Sequence, residues 1–214
     1  MTMHAIPAGP AVAEEPAPTR RGRPRSDIAH QAILDAFRDQ LVTVGFTRLK
    51  LEHVAAQAGV GKATIYRRWA SKEALALAVL LELTSPYIAV PELGSTRAEM
   101  EMLVGSVIRA LTQTTAGPVI RALLSQFAAN PALGDPFRAT VVRARREEVA
   151  RVIARGIARG DLRPETDAGI ATELLVGPVY FRLMFGGELS QALGPQVVDA
   201  LLAGWGQAPV PADR

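Results

Sequence analysis

Residues 50–72 read KLEHVAAQAGVGKATIYRRWASK, and this stretch decides the fold. Val54, Ala55 and Ala58 recur at the spacing of one buried helix face. Gly59 follows at the point where a left-handed residue is needed to stop that helix, a conformation glycine adopts without strain. Val60 and Gly61 make a short connection. Lys62 to Trp69 then reads as a second helix that buries Ile65 and Trp69. Its other face and N-terminal turn carry Lys62, Ala63, Thr64, Tyr66, Arg67 and Arg68. Two helices joined by a glycine-containing turn, the second basic on its outer face, have the layout of a head that reads double-stranded DNA.

Upstream lies an amphipathic helix, with Ser26 or Asp27 as N-cap, Ile28, Ile33, Phe37 and Leu41 as its apolar stripe, and Gly45 as its stop after Val44. Four further pieces follow it in order: VAAQAGV at 54–60, Thr64-Ile65-Tyr66, Trp69, and Ser71-Lys72-Glu73-Ala74-Leu75. Together with AILDAFRDQLVTVGF at 32–46 they strongly resemble the N-terminal domain of the tetracycline-repressor (TetR) family. The resemblance implies an all-α protein: a three-helix helix-turn-helix DNA-binding domain followed by a helical ligand-binding and dimerisation domain. It also implies a ligand-responsive repressor that binds an inverted-repeat operator as a homodimer. The expected division is a disordered tail (1–19), a basic arm (20–25), the head (26–70), the helical domain (71–207) and a flexible tail (208–214).

Within the head, Lys62, Thr64 and Arg68 are expected to face base edges. Lys50, Tyr66, Arg67 and Lys72 are expected on phosphates, and Ala63 in the turn that approaches the DNA. The family's second helix usually opens with Ser or Thr, which caps it and touches a phosphate. Here the position is Lys50, which cannot accept a capping hydrogen bond, so Thr47 caps one turn earlier or the cap is lost at about 1 kcal/mol. Lys72 is unfavourable for the dipole of the helix that Ser71 opens; in the family a Lys here contacts the phosphate backbone.

The charge distribution supports the same division. From Arg20 to Lys72 there are 11 Lys and Arg against 4 Asp and Glu, while the remainder from Glu73 has 13 against 15. A basic module followed by a near-neutral one suggests nucleic-acid contact at one end only. Arg20-Arg21-Gly22-Arg23-Pro24-Arg25 has the thin, extended chemistry of an arm for a narrow minor groove, with Arg21, Arg23 and Arg25 as contacts. The alternative is a solvated tail that only adds phosphate attraction; adjacency to the head favours the arm.

With 49% apolar and 21% charged residues the chain can bury a large core, and it has no Cys, which excludes disulfides and thiolate metal sites. No apolar run is read as reaching the roughly 18 residues that cross a bilayer, and no signal-peptide pattern opens the chain. The expectation is a cytoplasmic protein with no membrane association and no cofactor. The Gly59-to-Thr64 stretch fails as a phosphate-binding loop, because Ala56 and Ala63 stand where Gly and Ser or Thr are required.

Past Pro91 only helices are expected: 96–115, 118–129, 136–159, 168–185 with Gly177-Pro178 inside, and 195–205. Arg143, Arg146, Arg151, Arg155 and Arg159 beside Glu147 and Glu148 read as a solvated face with paired charges. A largely apolar effector is expected in a cavity lined by Met100, Leu103, Val107, Leu111, Phe127 and Val149. The segment 159–187 resembles a recurrent C-terminal domain of the family, in which the last two long helices form a four-helix bundle across the dimer. That places Leu174, Leu175, Val179 and Arg182 in the interface, with Leu183, Val198, Leu201 and Leu202. His4, His30 and His53 form no catalytic or metal-binding set in the helical domain, so an enzyme is not expected. An architectural DNA-binding protein that senses nothing remains the alternative, and a ligand cavity would discriminate.

Overall fold

Apolar residues at helical spacing recur in almost every segment, and the architecture they produce is all-α. The computed structural model describes residues 25–206. The expectations placed on the two tails and on the side chains of Arg21, Arg23 and Arg25 lie outside the described residues.

α1 (Arg25–Val44), α2 (Leu51–Gln57) and α3 (Lys62–Tyr66) form the head. α1 buries Ile33, Phe37 and Leu41 completely, whereas Ile28 in its first turn is 63% exposed. Gly59 has φ +65°, and the adjoining Val60 N–H donates to the Ala55 carbonyl at 3.0 Å, which closes α2 and turns the chain into α3. α3 is shorter than the expected 62–69 span. After Tyr66 the amides of Arg68 and Trp69 both donate to the Ile65 carbonyl, so the helix ends in a tight turn. Trp69 is buried all the same, stacked on the His30 ring with centroids 5.0 Å apart.

α4 (Lys72–Thr84) starts where Ser71 Oγ accepts from the Ala74 amide at 3.1 Å, and ends in one 3-10 turn, Ser85–Tyr87, at Pro86. α5 (Thr96–Gln113) is the central helix, packed against α6 (Ala116–Ala129), α8 (Arg143–Arg159), α9 (Ala168–Phe185) and α10 (Leu193–Trp205). α5 and α8 cross closely at Gly156: a Cβ there would lie 2.7 Å from Thr96 Oγ1 and 2.8 Å from Leu162 Cδ1. The helix expected at 136–159 begins earlier, as α7 (Pro131–Phe137), because Asn130 caps it through Oδ1. Pro136 lies inside α7, and Arg138–Val142 form a wide π-helical turn before α8.

Asp167 caps α9 by accepting from the Ile170 amide at 2.8 Å. α9 corrects one expectation: with 18 residues at mean hydropathy 1.3 it is long and apolar enough, by length and composition, to cross a membrane. Glu173 and Arg182 within it are outweighed by the surrounding Leu, Val, Ile and Phe. One continuous core runs from Ile33 of α1 to Leu201 of α10 and passes through α4, which therefore belongs to head and helical domain at once.

Candidate nucleic-acid interface and internal cavity

α3 buries Ile65 against the head and leaves Lys62, Ala63, Tyr66 and Arg67 exposed, with Thr64 partly covered. Lys62 pairs with Glu52 of α2 and lies over the Tyr66 ring, 5.6 Å from its centroid. That hydrogen bond holds the Glu52 carboxyl below its ordinary range and raises the Lys62 ammonium. Lys50 is exposed at the N-cap of α2 and makes no side-chain cap, so the cap is lost, without replacement by Thr47 among the described hydrogen bonds.

Two expected DNA contacts are placed differently. Arg68 follows the end of α3 and turns back to α1, where Nη2 donates to the Ser26 carbonyl at 2.8 Å and to Ser26 Oγ at 3.0 Å. Its guanidinium braces the head instead of projecting from α3, because the helix stops two residues before it. Lys72 is also drawn inward. Nζ donates to the Phe46 carbonyl at 2.8 Å and the Leu49 carbonyl at 3.4 Å, and sits 4.3 Å from the centre of the Phe46 ring. It thereby ties α4 to the connection between α1 and α2, with one N–H left over.

Behind the head lies a cavity of about 310 Å³. Val107 and Leu111 of α5 and Phe127 of α6 line it, as expected residues, while Met100, Leu103 and Val149 sit in closed core outside it. Period-3.6 counting put all six on apolar stripes, and it cannot tell which turn of a stripe meets a partner and which meets a void. Part of the remaining wall comes from segments not expected at the cavity: Thr84, with Tyr87 and Ile88 beyond the end of α4, Phe137 and Val141 at the π turn, and Tyr180 of α9. Phe127 and Phe137 stack there with centroids 4.0 Å apart.

Arg145 also reaches this cavity. A signal for it was present: the apolar stripe Val142, Val149, Ile153 skips one position, and Arg145 is the residue that stands at it. The supposedly solvated face of α8 is corrected in another respect. Arg155 and Arg159 converge on Glu99 of α5, which has no exposed surface, with Nε–Oε2 at 2.9 Å and Nη1–Oε1 at 3.1 Å. Burial alone would raise the Glu99 pKa, but hydrogen bonds from Arg155, the Leu93 amide and Arg159 outweigh it and hold the carboxyl below its ordinary range. Only Arg143–Glu147 and Arg151–Glu148 pair along the helix as expected.

Residues 90–201 match the family model described as Tetracyclin repressor-like, C-terminal domain, and residues 33–79 match Bacterial regulatory proteins, tetR family. The first match alone spans more than half of the chain. The protein belongs to the TetR family of transcriptional regulators. It is 31% identical to the uncharacterized HTH-type transcriptional regulator YdeS of Bacillus subtilis (strain 168), over 79% of this chain and 85% of that one. It is 27% identical to the DNA-binding transcriptional repressor TetR of Mycobacteroides abscessus, over 83% and 94%. Among solved structures, the TetR family transcription regulator SCO0332 superposes with a TM-score of 0.65 at 29% identity, covering 82% of this chain and 97% of that one. The family regulates transcription and is not one of enzymes, as the sequence reading had it.

In this TetR-family chain the side chains named for a dimer interface need correction. Leu175, Val179, Leu183, Val198 and Leu201 point into the protomer's own core, and Arg182 donates to its own Glu188 carbonyl at 3.0 Å. Leu174 is exposed and Leu202 partly so. A helix that is apolar all round gives no clue from sequence to which face is inward. The outer face of α9 instead presents Ile170, Leu174, Phe181, Met184 and Phe185, at 47–71% exposure.

Proposed function

We propose that the protein is a repressor that binds an inverted-repeat site in double-stranded DNA as a homodimer and releases it when a small, largely apolar effector enters the cavity. The observation that carries this reading is the position of α4. Its first turn holds the head through Lys72, and its last residues, Thr84 with the following Tyr87 and Ile88, form part of the cavity wall. Glu73 in that first turn accepts from Asn130 Nδ2 at 3.2 Å, which links it to the α6–α7 junction. An occupant that pushes on the wall displaces the same helix that sets the direction of α3. Half-sites lie at multiples of about 34 Å, so small changes in head separation cost contacts. A tenfold loss of DNA affinity needs about 1.4 kcal/mol of preference for the DNA-incompetent state. Two exposed α9 faces, set against each other, supply the dimer.

Selection from random duplexes should return an inverted repeat; a site without dyad symmetry would overturn the homodimer. Phe127→Trp should fill the cavity, leave DNA binding intact and abolish release by any effector. Leu103→Trp, in closed core, should instead destabilise the fold by about 1–3 kcal/mol. Should the Phe127 variant still respond, the effector binds elsewhere.

A further inference from the structure

The cavity walls are apolar except at a few points, and those points are unequal. Thr84 Oγ1 and Thr172 Oγ1 are spent on their own helices, donating to the Leu80 and Ala168 carbonyls at 2.7 Å each. Of the remaining polar side chains, Tyr87, Arg145 and Tyr180, the last two lie close enough to act on one another's charge. Arg145 Nη2 donates to the Tyr87 carbonyl at 2.8 Å and Nη1 to the Ile88 carbonyl at 3.3 Å. Both acceptors are neutral, and among the described residues no carboxylate lies within the ion-pair distance of 4.0 Å of its guanidinium. Glu148, three residues on, is taken up by the Val90 amide at 2.7 Å and by Arg151. A guanidinium has five N–H donors and keeps its charge in proteins. Burial works against that charge, and it pushes the neighbouring Tyr180 phenol up, so the phenol stays protonated and able to donate. Among the described residues the Tyr180 hydroxyl has no hydrogen-bond partner in the protein.

We propose that the effector is an amphipathic acid, an apolar body carrying one carboxylate or equivalent anionic head, whose head is held by Arg145 and Tyr180 inside the cavity. This rests on the reading of the cavity as the effector site. Arg145 keeps N–H donors beyond the two it gives to backbone carbonyls, the Tyr180 hydroxyl has no acceptor among the described residues, and the guanidinium brings a positive charge with no carboxylate in direct contact. A carboxylate matches both needs, since a planar guanidinium takes it in two parallel hydrogen bonds. The body of the molecule lies against Val107, Leu111 and Phe127. A neutral ligand of the same shape fills the same space and leaves the charge unmatched.

Calorimetric titration of the full chain with decanoate and with decanol, below their aggregation limits, separates these cases. Decanoate should bind at least about tenfold more tightly than decanol, roughly 1.4 kcal/mol. Arg145→Gln should erase that preference, and Tyr180→Phe should weaken decanoate a few-fold. Because Arg145 also pins the Tyr87 and Ile88 carbonyls, Arg145→Lys is the safeguard against a misfolded Gln variant. It keeps the charge and should keep part of the preference. Equal affinity of the two probes in the wild type, or a preference that survives Arg145→Gln, overturns the acidic head. If decanol nevertheless binds and releases DNA, the effector cavity stands without the acid. Absence of binding by either probe overturns both.

Discussion

α3 and α9 each turn a face away from the rest of the protomer, and the two faces are opposite in chemistry. α3 offers Lys62, Tyr66 and Arg67 around Thr64; α9 offers Ile170, Leu174, Phe181, Met184 and Phe185. A basic, polar face is stable in water and waits for a partner at no cost. An apolar face of five large side chains forfeits about 25 cal/mol for every Å² it leaves wet, so it needs cover whenever the protein is folded. Under the proposed function, the contrast gives one helix a conditional partner and the other a permanent one: DNA at α3, a second copy at α9.

The largest effect should come from the permanent face. Phe181→Asp combined with Phe185→Asp should give monomers by sedimentation and weaken DNA binding by about 10²-fold or more, because two linked heads gain that much from effective concentration. A dimer that persists would place the interface elsewhere. Salt sharpens the same contrast. Raising it from about 50 to 200 mM should sharply weaken DNA binding, which depends on counterion release, and leave the dimer intact. A dimer that dissociates in step with the DNA would break the distinction. Arg67→Ala should lower DNA affinity about equally for all sequences and reduce the salt slope by about one charge; an altered base preference would place Arg67 at a base edge.

The smallest effect belongs to Lys72. Since its ammonium is bonded to the Phe46 and Leu49 carbonyls, Lys72→Ala should cost the head about 1 kcal/mol of stability and shift the salt slope little. Full stability with a slope reduced by one charge would restore it as a phosphate contact.

The head was legible in the sequence because its signals are local. Gly59 stops a helix, Ser71 caps one, and Ile65 with Trp69 marks an inward face; each needs only neighbours within a few residues. Arg68 was expected on the helix face because α3 was carried to Trp69, three residues past its end at Tyr66. The cavity and the α9 face depend on which helix lies opposite which, and that information is spread over the chain. Leu103 and Val107 share a stripe and a residue type class, yet one meets packed neighbours and the other a void. On α9, Leu174 and Leu175 are adjacent and chemically identical, and one is in water while the other is in the core. Arg155 and Arg159 look like surface charges until Glu99, more than fifty positions earlier, is brought beneath them.

The wide turn at Arg138–Val142 has a consequence for how this cavity came to be shaped. A π turn holds one residue more than the regular helix would, and each residue of an α-helix advances the winding by about 100°. The extra residue therefore acts as a phase offset between α7 and α8, and it is this offset that lets Phe137 and Arg145, on either side of the turn, serve one enclosure. Removing Thr140 should let the two helices run on as a regular coil with Phe137 and Arg145 seven residues apart, about 700° of winding, so the two stay within about 20° of each other. Decanoate binding should then be kept. Loss of binding would show that the wide turn shapes the cavity by more than the phase it sets. On this view the room for a ligand is set by a residue count in one turn as much as by the side chains that line it.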